Sequence, residues 1–322
     1  MLGNLLALIV LLAIVVCLAL LTRRVWQSKR GWIKFPGVIL LGLLTLVFTL
    51  VTLVIGKGTY DFYRPYPVVP VNVSIANSPE QIARGEHLAA VLCVGCHSQN
   101  GELPLVGGND FSVETGLPLG ELYPPNITPA GKIKDLSDAD IFRILRTGVA
   151  PDGRLTMMSF FPVRSLSDED ALAVIAYLRQ QKAVDSARPS LNPSPLFAAF
   201  VGMGFIKFDA ATMPIQAQSA PSKATNAEYG KYVATFMSCT DCHGPALDGN
   251  APPPAPPGAP NLTLILPNWS KDDFFKAMRT GVDRDGHQIQ SAMPWKQIGR
   301  LDDVELEAMY QYLHALTPVV EK

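Results

Sequence analysis

The pentapeptide Cys-x-x-Cys-His occurs twice in this 322-residue chain, as Cys93–His97 and as Cys239–His243. On a helical turn, residues at i, i+3 and i+4 share one face, so two thiols and a histidine point the same way. This is the attachment pattern of a c-type haem, in which both cysteines bond the porphyrin and the histidine binds its iron. The sequence therefore predicts two covalently attached haem c groups, held by Cys93, Cys96, His97, Cys239, Cys242 and His243.

Two other kinds of site also use a Cys-x-x-Cys pair. A structural zinc site usually draws both of its pairs from one short segment, whereas these pairs lie in different halves of the chain and a histidine follows each at once. A thioredoxin-type redox pair belongs in a βαβ setting, which the flanking sequence does not suggest. The fifth cysteine, Cys17, lies in an apolar run and is interpreted as a small buried hydrophobe.

Two apolar runs, Leu5–Leu21 and Val38–Ile55, dominate the start of the chain. Each approaches the ~20 residues with which a helix crosses a bilayer. We therefore predict a two-helix transmembrane anchor over 1–56. A cleaved signal peptide is the alternative for the first run, but that run lacks a basic n-region and a small-residue cleavage site.

Charge in the loop between the two runs predicts their orientation. Basic residues close to membrane spans favour the cytoplasmic side, and tryptophans favour the membrane interface. The loop contains Arg23, Arg24, Lys29, Arg30 and Lys34, with Trp26 and Trp32. We predict a multi-pass protein of the inner membrane, with the remainder of the chain on the periplasmic side. The net charge of −1 gives no reason to expect a nucleic-acid partner.

The rest of the chain contains an internal repeat. Five short strings recur in the same order after each Cys-x-x-Cys-His: P-N-[IL]-T, R-T-G-V, D-G, a methionine, and Y-L near the end of a helical segment. Each unit has about 100 residues, a plausible size for one domain. The predicted organisation after the anchor is a spacer (57–77), a first domain (78–185), a connector (186–223) and a second domain (224–318).

Helical periodicity and capping residues predict a mainly α fold for both repeats. Ser137 and Ser167 precede acidic residues at the spacing of helix N-termini. Gly85 and Gly230 stand eight and nine residues before the first cysteine of their repeats. Either they allow the first helix to approach the last one, against Tyr177 and Tyr312, or they are simple helix starts.

A haem iron used for electron transfer commonly has a methionine opposite its histidine, which raises its potential. Met293 is the candidate in the second repeat, eight residues before Leu301. In the first repeat Met158 stands eight residues before Leu166, so it is favoured over its neighbour Met157. Met278 and Met309 are assigned to the core. A second histidine is the alternative ligand, although the remaining histidines, His87, His287 and His314, are interpreted as surface residues.

Together these strings resemble a known family. The combination of Cys-x-x-Cys-His, P-N-[IL]-T, R-T-G-V, an axial methionine and the L-S-D-E-D string over 166–170 is similar to the membrane-associated cytochrome c subunits of periplasmic dehydrogenases and respiratory chains. The resemblance implies two N-terminal transmembrane helices followed by two tandem all-α class I cytochrome c domains. It also suggests that a proline carbonyl orients each axial histidine, with Pro125 and Pro260 as candidates.

The chain departs from that family in two respects. The dehydrogenase subunits often hold three haems and end in a membrane anchor, whereas this chain has two motifs and begins with its apolar runs. The first repeat also reads A-G-K-I over 130–133, where those proteins tend to have T-G-I-G-x-W. We therefore expect this chain to share the fold and the electron-transfer role of that family. The resemblance does not identify the partner enzyme.

Two further stretches lie outside the motifs of the repeats. The apolar segment Leu196–Phe208 is too short to span a membrane comfortably, so it is expected to pack against a domain or a partner subunit. The proline-rich stretch Ala251–Pro260 is expected to form a stiff loop near the second haem.

The resemblance implies an electron carrier rather than an enzyme. Its donor is expected to be a dehydrogenase or a quinol-oxidising complex of the membrane, and its acceptor a soluble cytochrome, a reaction centre or a terminal oxidase. The alternative is a dihaem oxidoreductase such as a peroxidase, which needs an iron with an open sixth position. A methionine at the same offset in both repeats argues against that alternative.

Overall fold

A computed structural model of the chain describes residues 1–160, 162–251 and 258–320. These residues are mainly helical, which confirms the predicted fold class. The α-helices are α1 Leu2–Trp26, α2 Gly31–Tyr63, α3 Pro79–Leu88, α4 Val94–His97, α5 Phe111–Thr115, α6 Asp138–Thr147, α7 Asp168–Gln180, α8 Pro195–Gly202, α9 Ala227–Phe236, α10 Cys239–His243, α11 Leu262–Ile265, α12 Lys271–Thr280, α13 Trp295–Ile298 and α14 Asp303–His314.

Shorter elements connect these helices. A π-helix, Ala89–Cys93, joins α3 to α4. Two short strands, β1 Gly120–Glu121 and β2 Asn192–Pro193, pair antiparallel. The 3₁₀ helices are Lys132–Asp135, Met157–Phe160, Pro162–Ser165, Asp209–Ala211 and Leu266–Asn268.

The chain divides into two compact units. The first contains Met1–Tyr66, Asp110–Tyr123 and Pro189–Lys207, and the second contains Pro67–Asn109, Pro124–Arg188 and Phe208–Lys322. The second unit therefore holds both Cys-x-x-Cys-His strings. The domain boundaries drawn from the sequence stay a prediction, and most of the proline-rich stretch over 251–260 lies outside the described residues.

The first unit is built on α1 and α2, both long and apolar enough to cross a membrane. They run antiparallel, because a β-carbon at Gly56 would lie 3.9 Å from the Leu8 side chain, and one at Gly37 would lie 2.9 Å from that of Val25. Their outward faces are apolar and exposed. Cys17 is exposed on α1, so its interpretation as a buried residue is wrong.

Helix α8, from the predicted connector, packs directly on α2 in this unit. A β-carbon at Gly58 would lie 1.7 Å from the carbonyl oxygen of Ala198, and one at Gly202 would lie 2.0 Å from that of Val54. Only glycine leaves room for this backbone contact. The rings of Phe62 and Phe197 meet edge to face beside it, with centroids 5.4 Å apart.

In the second unit, each repeat pairs its first helix with its last. A β-carbon at Gly85 in α3 would lie 1.9 Å from the Ala173 carbonyl oxygen of α7 and 2.9 Å from Tyr177. A β-carbon at Gly230 in α9 would lie 1.8 Å from the Ala308 carbonyl oxygen of α14. Close approach of these helices is therefore confirmed, and it is the same in both repeats.

The recurring strings have local structural causes. Helices α6 and α12 end at Gly148 and Gly281, whose φ angles of 71° and 72° are left-handed. A β-bridge follows each glycine, and each D-G pair turns the chain back toward that bridge, with φ angles of 77° at Gly153 and 90° at Gly286. In each repeat, R-T-G-V thus forms the end of a helix and D-G forms the tight turn that leads back to the β-bridge.

Candidate haem-binding sites

Both Cys-x-x-Cys-His strings lie on helical turns, as the spacing predicts. The first string begins with the last residue of the π-helix and continues through α4, and the second forms α10. Cys93 is buried, and its burial raises the pKa of the thiol to about 12. The thiol is therefore held in its neutral form in an apolar setting.

The two histidines are buried and oriented in the same way. The Nδ1 atoms of His97 and His243 lie 2.9 Å from the carbonyl oxygens of Pro125 and Pro260. A carbonyl only accepts, so each Nδ1 donates and each Nε2 keeps its lone pair for a metal. Burial lowers the pKa of both imidazoles, and the bond to the proline carbonyl opposes this only partly. The neutral form that coordinates iron is therefore favoured.

The asparagine of each P-N-[IL]-T string fixes the proline carbonyl beside it. The side-chain amide of Asn126 donates to the Val184 carbonyl at 2.8 Å, and that of Asn261 donates to the Val319 carbonyl at 2.9 Å. Val184 and Val319 follow the last helix of their repeats. Each asparagine thus connects the segment whose proline carbonyl accepts from the histidine to the chain just after the last helix of the same repeat.

Met158 and Met293 occupy matching positions. Met158 lies in the 3₁₀ helix Met157–Phe160 and Met293 lies just before α13; both are half-buried and pack against the core. Met157 is also half-buried, in the same turn as Met158.

An arginine from the R-T-G-V string binds the end of each methionine segment. These segments run from Met158 to Leu166 in the first repeat and from Met293 to Gly299 in the second. Arg146 donates to the Leu166 carbonyl at 2.6 Å and to Asp168 at 2.6 Å. Arg279 donates to the Gly299 carbonyl and to Asp303 at 2.8 Å. Each arginine therefore joins the methionine segment to the first turn of the last helix.

These donor sets fit a covalently attached haem. Each repeat supplies two thiols on one helical turn, a neutral imidazole whose Nε2 is free to coordinate, and a half-buried thioether on a separate segment. Thiols, imidazole and thioether are the protein groups that hold haem c.

The two repeats also contact one another through an ionic cluster that sequence reasoning missed. Arg84 of the first repeat donates to both carboxylate oxygens of Asp170, at 2.8 and 2.9 Å, and to Glu305 of the second repeat. Tyr232, also from the second repeat, donates to Asp170 at 2.6 Å. Asp170 and Glu305 occupy the same position in the first turn of α7 and of α14.

His87 belongs to this cluster. Its Nε2 lies 2.6 Å from Glu305, whose side chain is fully buried. Its interpretation as an ordinary surface residue is therefore wrong. His287 and His314 are exposed, as predicted.

A second contact brings the methionine segment of one repeat to the haem motif of the other. A β-carbon at Gly95, inside the first motif, would lie 3.2 Å from the side-chain amide of Gln297 in α13. Just beyond α13, Arg300 donates to Glu102 at 2.9 Å and to the Ala90 carbonyl at 3.4 Å. The two candidate haem sites are therefore neighbours within one compact unit.

Comparison with known families agrees with the geometry. The model of the family described as cytochrome c matches residues 82–182 and 227–317, which together make up more than half of the chain. Both matched segments contain one Cys-x-x-Cys-His string and its methionine.

Several characterised proteins are similar in sequence. The cytochrome c subunit of gluconate 2-dehydrogenase from Pantoea cypripedii is 29% identical over 73% of this chain and 59% of its own length. The cytochrome c subunit of alcohol dehydrogenase (quinone) from Gluconobacter oxydans is 33% identical over 38% of this chain and 27% of its own length. The cytochrome subunit of fructose dehydrogenase from Gluconobacter japonicus is 29% identical over 31% of this chain and 23% of its own length. The chain thus spans less than two thirds of each relative.

Proposed function

Because the chain belongs to the cytochrome c family, we propose that it is an electron-carrier subunit with two haem c groups, one in each repeat. One observation carries the proposal: the same helical turn of two cysteines and a histidine occurs twice, each time with Nδ1 donating to a proline carbonyl at 2.9 Å. Each haem, when bound, supplies a one-electron iron couple.

The chain's own residues attach and tune each group. Cys93 and Cys96 in the first repeat, and Cys239 and Cys242 in the second, form the covalent attachments. His97 and His243 would each bind an iron through Nε2, in the tautomer that the proline carbonyls select. Met158 and Met293 would each supply a thioether to one iron, and a thioether favours reduced iron and raises the potential.

The relatives, which are subunits of dehydrogenases, support a dehydrogenase as one partner. The donor in this proposal is a membrane-bound dehydrogenase or a quinol-oxidising complex. The acceptor is a soluble cytochrome, a reaction centre or a terminal oxidase. The chain positions the two haems and passes electrons between them without making or breaking substrate bonds.

The location we propose is the inner membrane, with α1 and α2 as retained anchors and the haem domains on the periplasmic side. Both helices have the length and hydropathy needed to cross a bilayer. The basic loop between them then lies in the cytoplasm, as the positive-inside rule requires.

Haem stoichiometry tests the number of sites. The intact protein is expected to contain two haems per chain by pyridine haemochrome absorbance against protein mass. Replacing both Cys93 and Cys96 by alanine should leave one, and the matching change at Cys239 and Cys242 should also leave one. A single haem in the intact chain would contradict the proposal.

Replacing the axial methionines tests the carrier role against the peroxidase alternative. We expect Met158→Ala and Met293→Ala each to lower the potential of one haem and to open one iron to carbon monoxide. Met157→Ala is the matched control and should change neither property. Redox titration and carbon monoxide difference spectra are the measurements. If the unmodified protein binds carbon monoxide and cyanide readily at neutral pH, the pure carrier is the wrong function.

A further inference from the structure

Helix α8 and the turn after it contain a long uncharged segment that the haem sites do not use. From Pro189 to Ile206 the chain has no charged residue, and from Pro195 to Ile206 every residue is apolar. Phe197, Ala198 and Val201 are buried against the rest of the first unit. The opposite side is apolar too, and it is exposed at Met203 and Phe205, which are 50% and 45% accessible.

The register of α8 on α2 shows the direction in which this segment points. Ala198 lies beside Gly58, and four residues later Gly202 lies beside Val54, four residues earlier on α2. The two helices therefore run antiparallel. Since a helix rises about 1.5 Å per residue, the contact descends about 6 Å along α2 between these two points.

The shift of this contact from Gly58 to Val54 is toward the apolar run of α2. Val54 belongs to the run Val38–Ile55, whereas Gly58 lies beyond it, next to the charged pair Lys57 and Asp61. The turn after Gly202 thus begins beside the outer end of the run. On this part of α2, Leu53 is 63% exposed, so the neighbouring surface is apolar as well.

The N–H groups of the turn are all hydrogen-bonded. The N–H groups of Met203, Gly204 and Phe205 donate to carbonyls of α8 at 2.9 Å, and that of Ile206 donates at 3.3 Å. Gly204 has a left-handed φ of 81°, which permits the reversal. Each unpaired backbone polar group costs several kcal/mol in hydrocarbon, and the N–H groups of this turn avoid that cost.

We infer that Met203–Ile206 is a re-entrant tip that inserts into the outer leaflet of the bilayer beside α2. This inference rests on the proposed membrane anchoring by α1 and α2. Lys207, the first charge after the tip, is exposed and stands where a lysine reaches back to the phosphate groups. The connector between the haem repeats thereby contacts lipid without spanning the membrane.

Spin-label accessibility in lipid tests the inference. The haem-loaded full chain with Cys17→Ser is reconstituted in phosphatidylethanolamine and phosphatidylglycerol vesicles, with a nitroxide on Phe205→Cys. Power saturation is measured with oxygen, which enters lipid, and with a nickel chelate, which stays in water. Leu53→Cys on α2 reports the anchor, and Met213→Cys, which replaces a 52% exposed side chain, is the water-exposed control. Each variant must still hold two haems.

The expected result is an oxygen-to-nickel accessibility ratio several-fold higher at positions 205 and 53 than at position 213. If position 53 gives a lipid value and position 205 a water value, the re-entrant tip is wrong and the anchor stands; a protein partner would then cover the patch. Water values at both positions would overturn the anchor, and the inference with it.

Discussion

Gly230→Ala is expected to destabilise the second repeat by about 3 kcal/mol, the upper end of what overpacking a core costs. The new β-carbon would lie 1.8 Å from the carbonyl oxygen of Ala308 in α14. Because that atom is backbone, no rotamer change relieves the clash, and α9 and α14 must move apart. Alanine is favoured over glycine in a helix by about 1 kcal/mol, which is too little to offset the separation.

Denaturant unfolding of the haem-loaded protein, followed by circular dichroism, measures the loss. Gly85→Ala should have the same effect on the first repeat, since its β-carbon would lie 1.9 Å from the Ala173 carbonyl oxygen. Lys231→Ala is the matched control, because Lys231 is exposed on the same helix, and it should change stability little. A Gly230→Ala protein as stable as the unmodified one would show that these helices are not in backbone contact.

These glycines also show why much of the fold was predictable from the sequence. Gly85 and Gly230 recur at nearly the same distance from their cysteines, and recurrence at one place in both copies of a repeat indicates a shared structural role. The proline carbonyls came instead from the resemblance to the cytochrome c subunits, with Pro125 and Pro260 as the candidates. Duplication thus indicated the contact between the first and last helix of each repeat.

Contacts between the repeats are not duplicated, and the sequence did not reveal them. Arg84 precedes Gly85, but the residue before Gly230 is Tyr229, so the position has no matching charge. Glu305 forms a capping box with Asp302 at the start of α14, where an acidic residue needs no other explanation. The sequence indicates this cluster only when three residues are considered together: Arg84, which has no counterpart in the second repeat, and the acids Asp170 and Glu305 at equivalent positions.

The packing of α8 was hidden for a different reason. Its segment is apolar on every side, so hydrophobic periodicity does not indicate which face is buried. Gly58 and Gly202, which decide the contact with α2, belong to no repeated string. Only the structure shows that they face one another.

Glu305→Gln is expected to weaken the protein substantially at neutral pH. The Glu305 side chain is fully buried. Burial alone would raise its pKa, but the hydrogen bond and charge of His87, and those of Arg84, lower it to about 2. Relative to the ordinary value of 4.5, this shift corresponds to about 3 kcal/mol of stability in the ionised state. Glutamine keeps the shape and removes the charge that faces Arg84.

The lowered pKa of Glu305 determines how the stability difference changes with pH. A carboxyl with a lowered pKa stabilises the folded protein fully above its unfolded value of 4.5, and that contribution disappears as pH falls toward about 2. The difference between the unmodified protein and Glu305→Gln should therefore be present at neutral pH and should shrink below about pH 4.5. Asp303→Asn on the same helix, which is 85% exposed and pairs with Arg279, is the control and should have little effect at any pH.

Unfolding free energies of Glu305→Gln and the unmodified protein, measured across this range, decide the role of the cluster. Because Arg84 also binds Asp170, its charge keeps one partner when Glu305 is neutralised. We therefore expect the contact between the two repeats to loosen rather than each repeat to unfold, with both haems retained. Equal stability of the two proteins at pH 7 would mean that the charge of Glu305 contributes nothing to holding the repeats together.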